Sequence, residues 1–337
     1  MEYLKLFENH SEYDDFVSGG TMVKPNVSHC VQENEVHYNP IPHDYSKDYL
    51  TFVALEDGTE IGFTCVSEFG DSGYQIISYS IDGGETWTDT QGNKGGETIA
   101  VLSEGDNLLI KGTNVQYGMD VEGGYSEFYA DGKVKVEGNP MSLIYGDNFF
   151  GALSFPQDSD SNFQYIFAGC RESLVDASNL VLPATTLTDS CYDHMFSQCR
   201  QLESGPKILP ATTLASYCYQ NMFYQCDRLT TAPELPATTL ARNCYWGMFA
   251  SCIKLTTAPE LPATTLTNSC YGYMFQGCTK LNYIKAMFTT TPSTNYTYNW
   301  VSGVASTGTF VKNSAATWTT TGVNGVPDGW TVETTTE

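Results

Sequence analysis

Four residues with the chemistry of zinc ligands, His29, Cys30, His37 and His43, fall within fifteen positions of one another. Their spacing fits no standard finger, and the adjacent His29 and Cys30 would point to opposite sides of a strand. A packed structural segment is therefore the favoured reading, and no metal is expected there. Asp158-Ser159-Asp160-Ser161-Asn162 begins like a calcium loop. It has Phe163 where the turn needs Gly and Gly169 where the bidentate Glu belongs, so a solvated loop is expected. Nine of the eleven cysteines lie between 170 and 278, but a nucleophilic Cys needs a base, and the single histidine of that region, His194, falls on the polar side of its segment. The chain contains no Ser-His-Asp arrangement, phosphate loop or H-E-x-x-H. These residues point to no catalytic site, no cofactor and no enzyme.

The composition narrows the classes further. The 337 residues carry a formal charge of −23, with 39 Asp and Glu against 16 Lys and Arg, yet only 16% are charged and 13% are aromatic. Such aromatic content supplies folded cores that a disordered acidic chain lacks. Nucleic acid is excluded as a partner, because neutralising phosphates requires clustered Lys and Arg. Residues 1–150 hold 26 acidic residues and 7 lysines, and residues 151–337 hold 13 acidic and 9 basic ones, which implies units with different surfaces. The opening MEYLKLFENHSEYDD has neither a basic region nor an apolar one, and no stretch approaches a membrane span, so neither a secretion signal nor membrane insertion is expected.

The positions that contain the cysteines belong to a repeat. LPATTLTDSCYDHMFSQCRQL, LPATTLASYCYQNMFYQCDRL, LPATTLARNCYWGMFASCIKL and LPATTLTNSCYGYMFQGCTKL begin at 182, 209, 235 and 261, and a degenerate copy, YIFAGCRESL, precedes them. A period of 26 to 27 residues lies in the leucine-rich range. Leu187, Cys191, Tyr192, Met195, Phe196 and Cys199 fill one half of a helical wheel at about 100° per residue, which predicts a short helix in each copy. Pro233 and Pro259 suit a sheet edge or a bend, so each copy is expected to run strand, turn, helix, turn. One copy cannot bury its apolar half alone; stacking would. The thiols are expected to be buried, reduced fillers.

The phrase M-F-x-x-C-x-x-L followed by a short strand and Pro resembles the BspA-type leucine-rich repeat, in which A-F-x-x-C-x-x-L holds the same place. The resemblance covers 163–285, with Met for the usual Ala and an additional Cys at 191, 218, 244 and 270. It implies a solenoid and no enzymatic activity. GTFVKNSAATW and GVPDGWTV in the tail are similar to the closing strands found after such repeats in proteins of Bacteroidales and their phages.

Between 48 and 150, YLTFVAL, IGFTCV, YQIISYSI, TIAVL, LLIKG and KVKVEG alternate apolar with polar residues between Gly, Asp and Asn turns, which predicts an antiparallel β-sandwich. Within it, Ser80-Ile81-Asp82-Gly83-Gly84-Glu85-Thr86-Trp87 resembles the Asp-box turn of sialidase propellers. That turn staples a hairpin and is not catalytic. In 1–47, Ser11 and Asp14 would cap a short helix through Val17. LFENHSEYDDF, PNVSHC, VHYNP and GNPMSLIYGDNF resemble the amino-terminal half of proteins encoded by crAss-like phages of gut Bacteroidales, which implies a virion or surface-displayed module.

Among the copies the apolar positions barely change, whereas the polar arc runs through Tyr217, Tyr224, Trp246 and Tyr273, with Arg228 and Arg242 nearby. These rings either cover neighbouring copies or form a partner-binding face. The expected fold is mixed and β-rich: a small α+β anchoring module (1–47), a β-sandwich (48–150), a leucine-rich solenoid (151–288) and capping strands (289–337). The expected function is that of a non-enzymatic phage virion appendage on head, collar or tail. It would be made in the host cytoplasm, contact other virion proteins through 1–150 and contact a host surface protein or glycan through the repeats. A Bacteroidales cell-surface adhesin is the alternative, and a carbohydrate-active protein the second. No heptad run enforces a trimer, so any homo-oligomer would form through 1–150.

Overall fold

The computed structural model describes residues 43–65, 75–92, 95–118 and 125–335. The helix expected near Ser11–Val17, and His29, Cys30 and His37, lie outside them. Asp44–Glu337 pack as one compact unit. It is β-rich, with three open sheets and, among the described residues, a single one-turn α-helix.

The alternating segments form β1 (Leu50–Ala54), β2 (Thr59–Thr64), β3 (Ile76–Ser80), β4 (Thr88–Gln91), β5 (Glu97–Leu102), β6 (Asn107–Gly112), β7 (Glu127–Asp131) and β8 (Val134–Gly138), followed by the helix α1 (Ser142–Tyr145) and β9 (Leu174–Leu180). One sheet has the order β4-β3-β6-β1-β8-β9 and a second the order β5-β2-β7. Strand alternation turns Leu50, Phe52 and Ala54 inward together with Leu108, Ile110, Val134 and Val136. The second sheet presents Ile61, Phe63 and Phe128. The two faces meet where Phe52 lies 5.3 Å from Phe128, itself 4.8 Å from Phe63. All pairings in these two sheets are antiparallel except β8 with β9, which is parallel. The boundary read at 150/151 therefore falls between two strands of one sheet, and the hydrophobic core runs through it without a break.

The repeats fold differently from the sequence expectation. No helix forms in any copy. Instead, in the copy at 190–199, the N–H groups of Ser190, Tyr192, His194, Phe196 and Gln198 donate to carbonyls of the next copy, while those of Cys191, Asp193, Met195, Ser197 and Cys199 donate three residues back. Every fourth residue has a positive φ: Ser190 (56°), His194 (56°) and Gln198 (64°), then Tyr217, Asn221 and Gln225, then Asn243, Gly247 and Ser251. The result is a ribbon of consecutive turns. Past its first turn an α-helix keeps its N–H groups for its own carbonyls, whereas the ribbon uses every second one to tie copies together.

Stacking then follows from the register. Phe167, Phe196, Phe223, Phe249 and Phe275 lie ring on ring, 5.4, 5.3, 5.6 and 5.8 Å apart. Tyr192, Tyr219, Tyr245 and Tyr271 form a parallel file at 5.7, 5.8 and 5.9 Å. Met195, Met222, Met248 and Met274 are fully buried, as are the two files of Cys. Each such side chain contributes about 1.5–3 kcal/mol by leaving water. The ribbon continues past the last recognised copy, because Tyr271, Tyr273, Phe275 and Gly277 donate to Tyr296, Tyr298, Trp300 and Ser302. Trp300 thus occupies the place of the phenylalanines. Beyond it, β11 (Thr309–Lys312) and β12 (Thr331–Thr334) extend the parallel sheet that β10 (Tyr283–Ala286) begins.

Candidate functional site

The cysteines of the repeats are free and buried. The file nearer each leucine is hydrogen-bonded one copy back: Cys199 to the Phe167 carbonyl at 3.3 Å, Cys226 to Phe196 at 3.2 Å, Cys252 to Phe223 at 3.1 Å and Cys278 to Phe249 at 3.0 Å. In the other file, the Cys218 and Cys244 sulfurs lie 4.0 and 3.9 Å from carbonyls of the next copy, so packing dominates. Burial pushes the Cys170, Cys270 and Cys278 thiols up to about 12. Thiols held protonated this firmly are poor nucleophiles.

The outer side chains resolve into separate places. Tyr217, Tyr224, Trp246 and Tyr273 are all half-buried, and Arg228 and Arg242 are exposed. Trp246 meets Tyr273 edge-on at 4.8 Å, and Tyr273 meets Tyr298 at 5.1 Å, so three successive copies share one aromatic run. Trp246 can lie down because the next copy has Gly272, where an added Cβ would come 2.3 Å from the indole. Arg242 sits 5.7 Å over the Tyr217 ring. Arg228 pairs instead with Glu203 at 3.6 Å, both side chains largely in water, which makes the pair energetically minor.

Tyr224 faces another group altogether. It lines an open groove of about 240 Å³ with Tyr125, Tyr165, Arg171, His194 and Gln198. Tyr125 stacks on Tyr165 at 4.1 Å and Tyr165 on His194 at 4.4 Å. His194 Nδ1 lies 2.5 Å from Asp193, a buried carboxylate that also accepts from Gln164 at 2.8 Å, and Asn221 lies 3.1 Å from Nε2. The sequence reading missed Tyr125, Tyr165 and Arg171. Tyr125 comes from the segment before β7, and no local pattern links it to the repeats.

Elsewhere, Asp82 staples the β3–β4 hairpin. It accepts from Ser80 at 2.7 Å and from the Thr86 N–H at 3.0 Å, and these donors hold its carboxyl well below the usual range. Trp87 Nε1 donates to Gly84, and Lys111 lies 4.0 Å over the Trp87 ring. Asp158 and Asp160 are exposed, whereas the Asn162 side chain is committed to Val115, Ser159 and Thr188. Of the four residues near the amino terminus, His43 alone is described, and it is exposed. Among the described residues no group of three or more His, Cys, Asp or Glu is placed to hold a metal ion, and no helix is long and apolar enough to cross a membrane. Compared with known proteins, the chain matches no family model, no curated protein and no solved structure.

Proposed function

We propose that this chain is a non-enzymatic structural and recognition protein, in which a β-sandwich and a leucine-rich solenoid share one core. Its best-supported role is that of an appendage on a phage particle, anchored through its amino-terminal portion and turned outward at the repeats. The observation that carries recognition is the Trp246–Tyr273–Tyr298 run. Three aromatic rings from three copies touch one another on the outer ledge, while the apolar interior is filled without them. Aromatic side chains at such sites dominate binding energy, and stacked repeats bind along extended surfaces. The amino-terminal resemblance supports the virion setting. Mass spectrometry of purified particles tests it: the chain should be present in stoichiometric amount. Recovery in a bacterial surface fraction and not in particles would favour the adhesin reading.

A further inference from the structure

The groove beside Tyr224 lies apart from the Trp246–Tyr273–Tyr298 run and has the features of a built site. Its floor is made of small residues: the ribbon register places Ala168, Ser197 and Tyr224 at equivalent positions in three successive copies, so the groove is open over the first two and closed by the ring of the third. One wall is the Tyr125–Tyr165–His194 stack. Asp193 and Asn221 fix the His194 ring, and that wall is therefore rigid. Arg171 and Gln198 complete the lining.

Two of the wall residues sit at the left-handed positions that recur every fourth residue along the ribbon. Tyr165 has φ 61° and His194 φ 56°, at the ribbon position that Asn221, Gly247 and Tyr273 occupy in later copies. A left-handed conformation suits Asn and Gly and disfavours larger side chains by roughly 1–2 kcal/mol. Tyr165 is half-buried and the His194 side chain is mostly buried, each packed against its neighbour in the stack.

The chemistry of the lining narrows the ligand. The ring faces are already stacked on one another, so they offer no cage for a quaternary ammonium. The backbone N–H groups of Tyr165, Ala168, His194, Ser197 and Gln198 are all bonded within and between copies, so no edge remains for an extended peptide to join. Hydroxyl, amide and guanidinium groups are what remain. Arg171 is exposed, and its Nε donates to the Ala168 carbonyl at 3.3 Å. Its guanidinium also hydrogen-bonds the Tyr125 side chain and lies close enough to Glu127 to act on that carboxylate. Glu127 is mostly buried: burial raises its carboxyl, and the Arg171 charge beside it acts in the opposite direction.

We propose that this groove binds an acidic saccharide, whose carboxylate meets the Arg171 guanidinium and whose hydroxyls meet Tyr165, Gln198 and Tyr224. A fork of two N–H donors matches a carboxylate bidentately. Drug-sized ligands fill pockets of roughly 300–1,000 Å³, so this groove takes one or two sugar rings.

The test uses the full chain in solution, without particles. Calorimetric titration with sialyllactose and with trigalacturonic acid is compared with lactose and with the carboxyl-reduced trimer. At least one acidic sugar should bind at millimolar affinity or better, and its uncharged counterpart at least tenfold more weakly. Arg171→Gln and Tyr224→Ala, each melting within a few degrees of the parent, should each weaken binding at least tenfold, while a change at the exposed Ile208, Ile208→Ala, should leave it unchanged. Absence of binding by both acidic sugars, equal binding of the neutral counterparts, full affinity in Arg171→Gln, or equal binding of a tetraglutamate peptide would each overturn the proposal. Since adsorption plays no part in this readout, the site and the particle role fail separately.

Discussion

The Cys226 thiol lies 3.2 Å from the carbonyl oxygen of Phe196, one copy earlier, and the same contact recurs between Cys252 and Phe223 at 3.1 Å. Cys244 reaches the carbonyl of Cys270, one copy later, only at 3.9 Å. Two cysteines of equal burial thus differ in what a hydroxyl would find in their place. Cys226→Ser keeps a donor within reach of an acceptor and should cost about 1 kcal/mol or less. Cys244→Ser sets a shorter side chain against a carbonyl that the thiol reaches only at 3.9 Å, and should cost more, about 1–3 kcal/mol. Urea denaturation under reducing conditions measures both, and an equal loss in the two variants would remove the hydrogen-bonding role.

The thiols also set a pH limit. Cys170, Cys270 and Cys278 move from an ordinary value of 9.0 to about 12 in the folded chain because burial disfavours the thiolate. Between those values the unfolded chain releases protons that the folded chain retains. Stability should be independent of these groups below about pH 9 and should fall steadily from there to about pH 12. Denaturation midpoints across that range check it, with the rate of alkylation by iodoacetamide as a second readout. Fast alkylation of the native protein at pH 8 would contradict the burial.

Gly247 separates the turn ribbon from the helix that the spacing alone suggests. In an exposed helix interior Gly→Ala stabilises by up to about 1 kcal/mol. Here Gly247 has φ 61°, and an added Cβ would come 2.1 Å from Asn221 Oδ1. Gly247→Ala should therefore destabilise, by about 1–3 kcal/mol. The sign of the change in melting temperature decides between the two backbones.

Much of this architecture could be read from residue spacing, and its failures have a common cause. Leu182, Leu209, Leu235 and Leu261, with the Cys, Met and Phe positions between them, announce a stacked interior, and they are buried. Positions 191, 192, 195, 196 and 199 repeat every four residues, and over nine residues that pattern fits half of a helical wheel as well as it fits a turn ribbon. The discriminating sign was the placement of Asn243, Gly247 and Ser251 four apart, where a left-handed backbone is needed. The additional copy at 295–303 was hidden because Trp300 replaces Phe and no Cys accompanies it. The parallel pairing of β8 with β9 and the meeting of Tyr125 with Tyr165 join residues some forty apart, and local periodicity carries no information about them.

The proposed recognition through the repeats predicts a contrast between outer and inner side chains. Met248 is fully buried among stacked copies, so Met248→Ala should cost about 2–5 kcal/mol through the cavity it leaves. Trp246 and Tyr273 are half-exposed, and part of the indole rests on Gly272, so the double change to Ala should cost only about 1–2 kcal/mol and leave the fold assembled. The sequence alone placed these two rings clear of the core; the packing on Gly272 adds the small stability term. If the run is a binding face, each substitution should remove about 2 kcal/mol or more of binding energy, a loss of about thirtyfold in affinity. Adsorption of particles bearing the double variant measures this directly, with its incorporation checked by mass spectrometry. Unchanged adsorption by fully assembled variant particles would reduce the Trp246–Tyr273–Tyr298 run to surface cover, whatever the groove at Tyr224 binds.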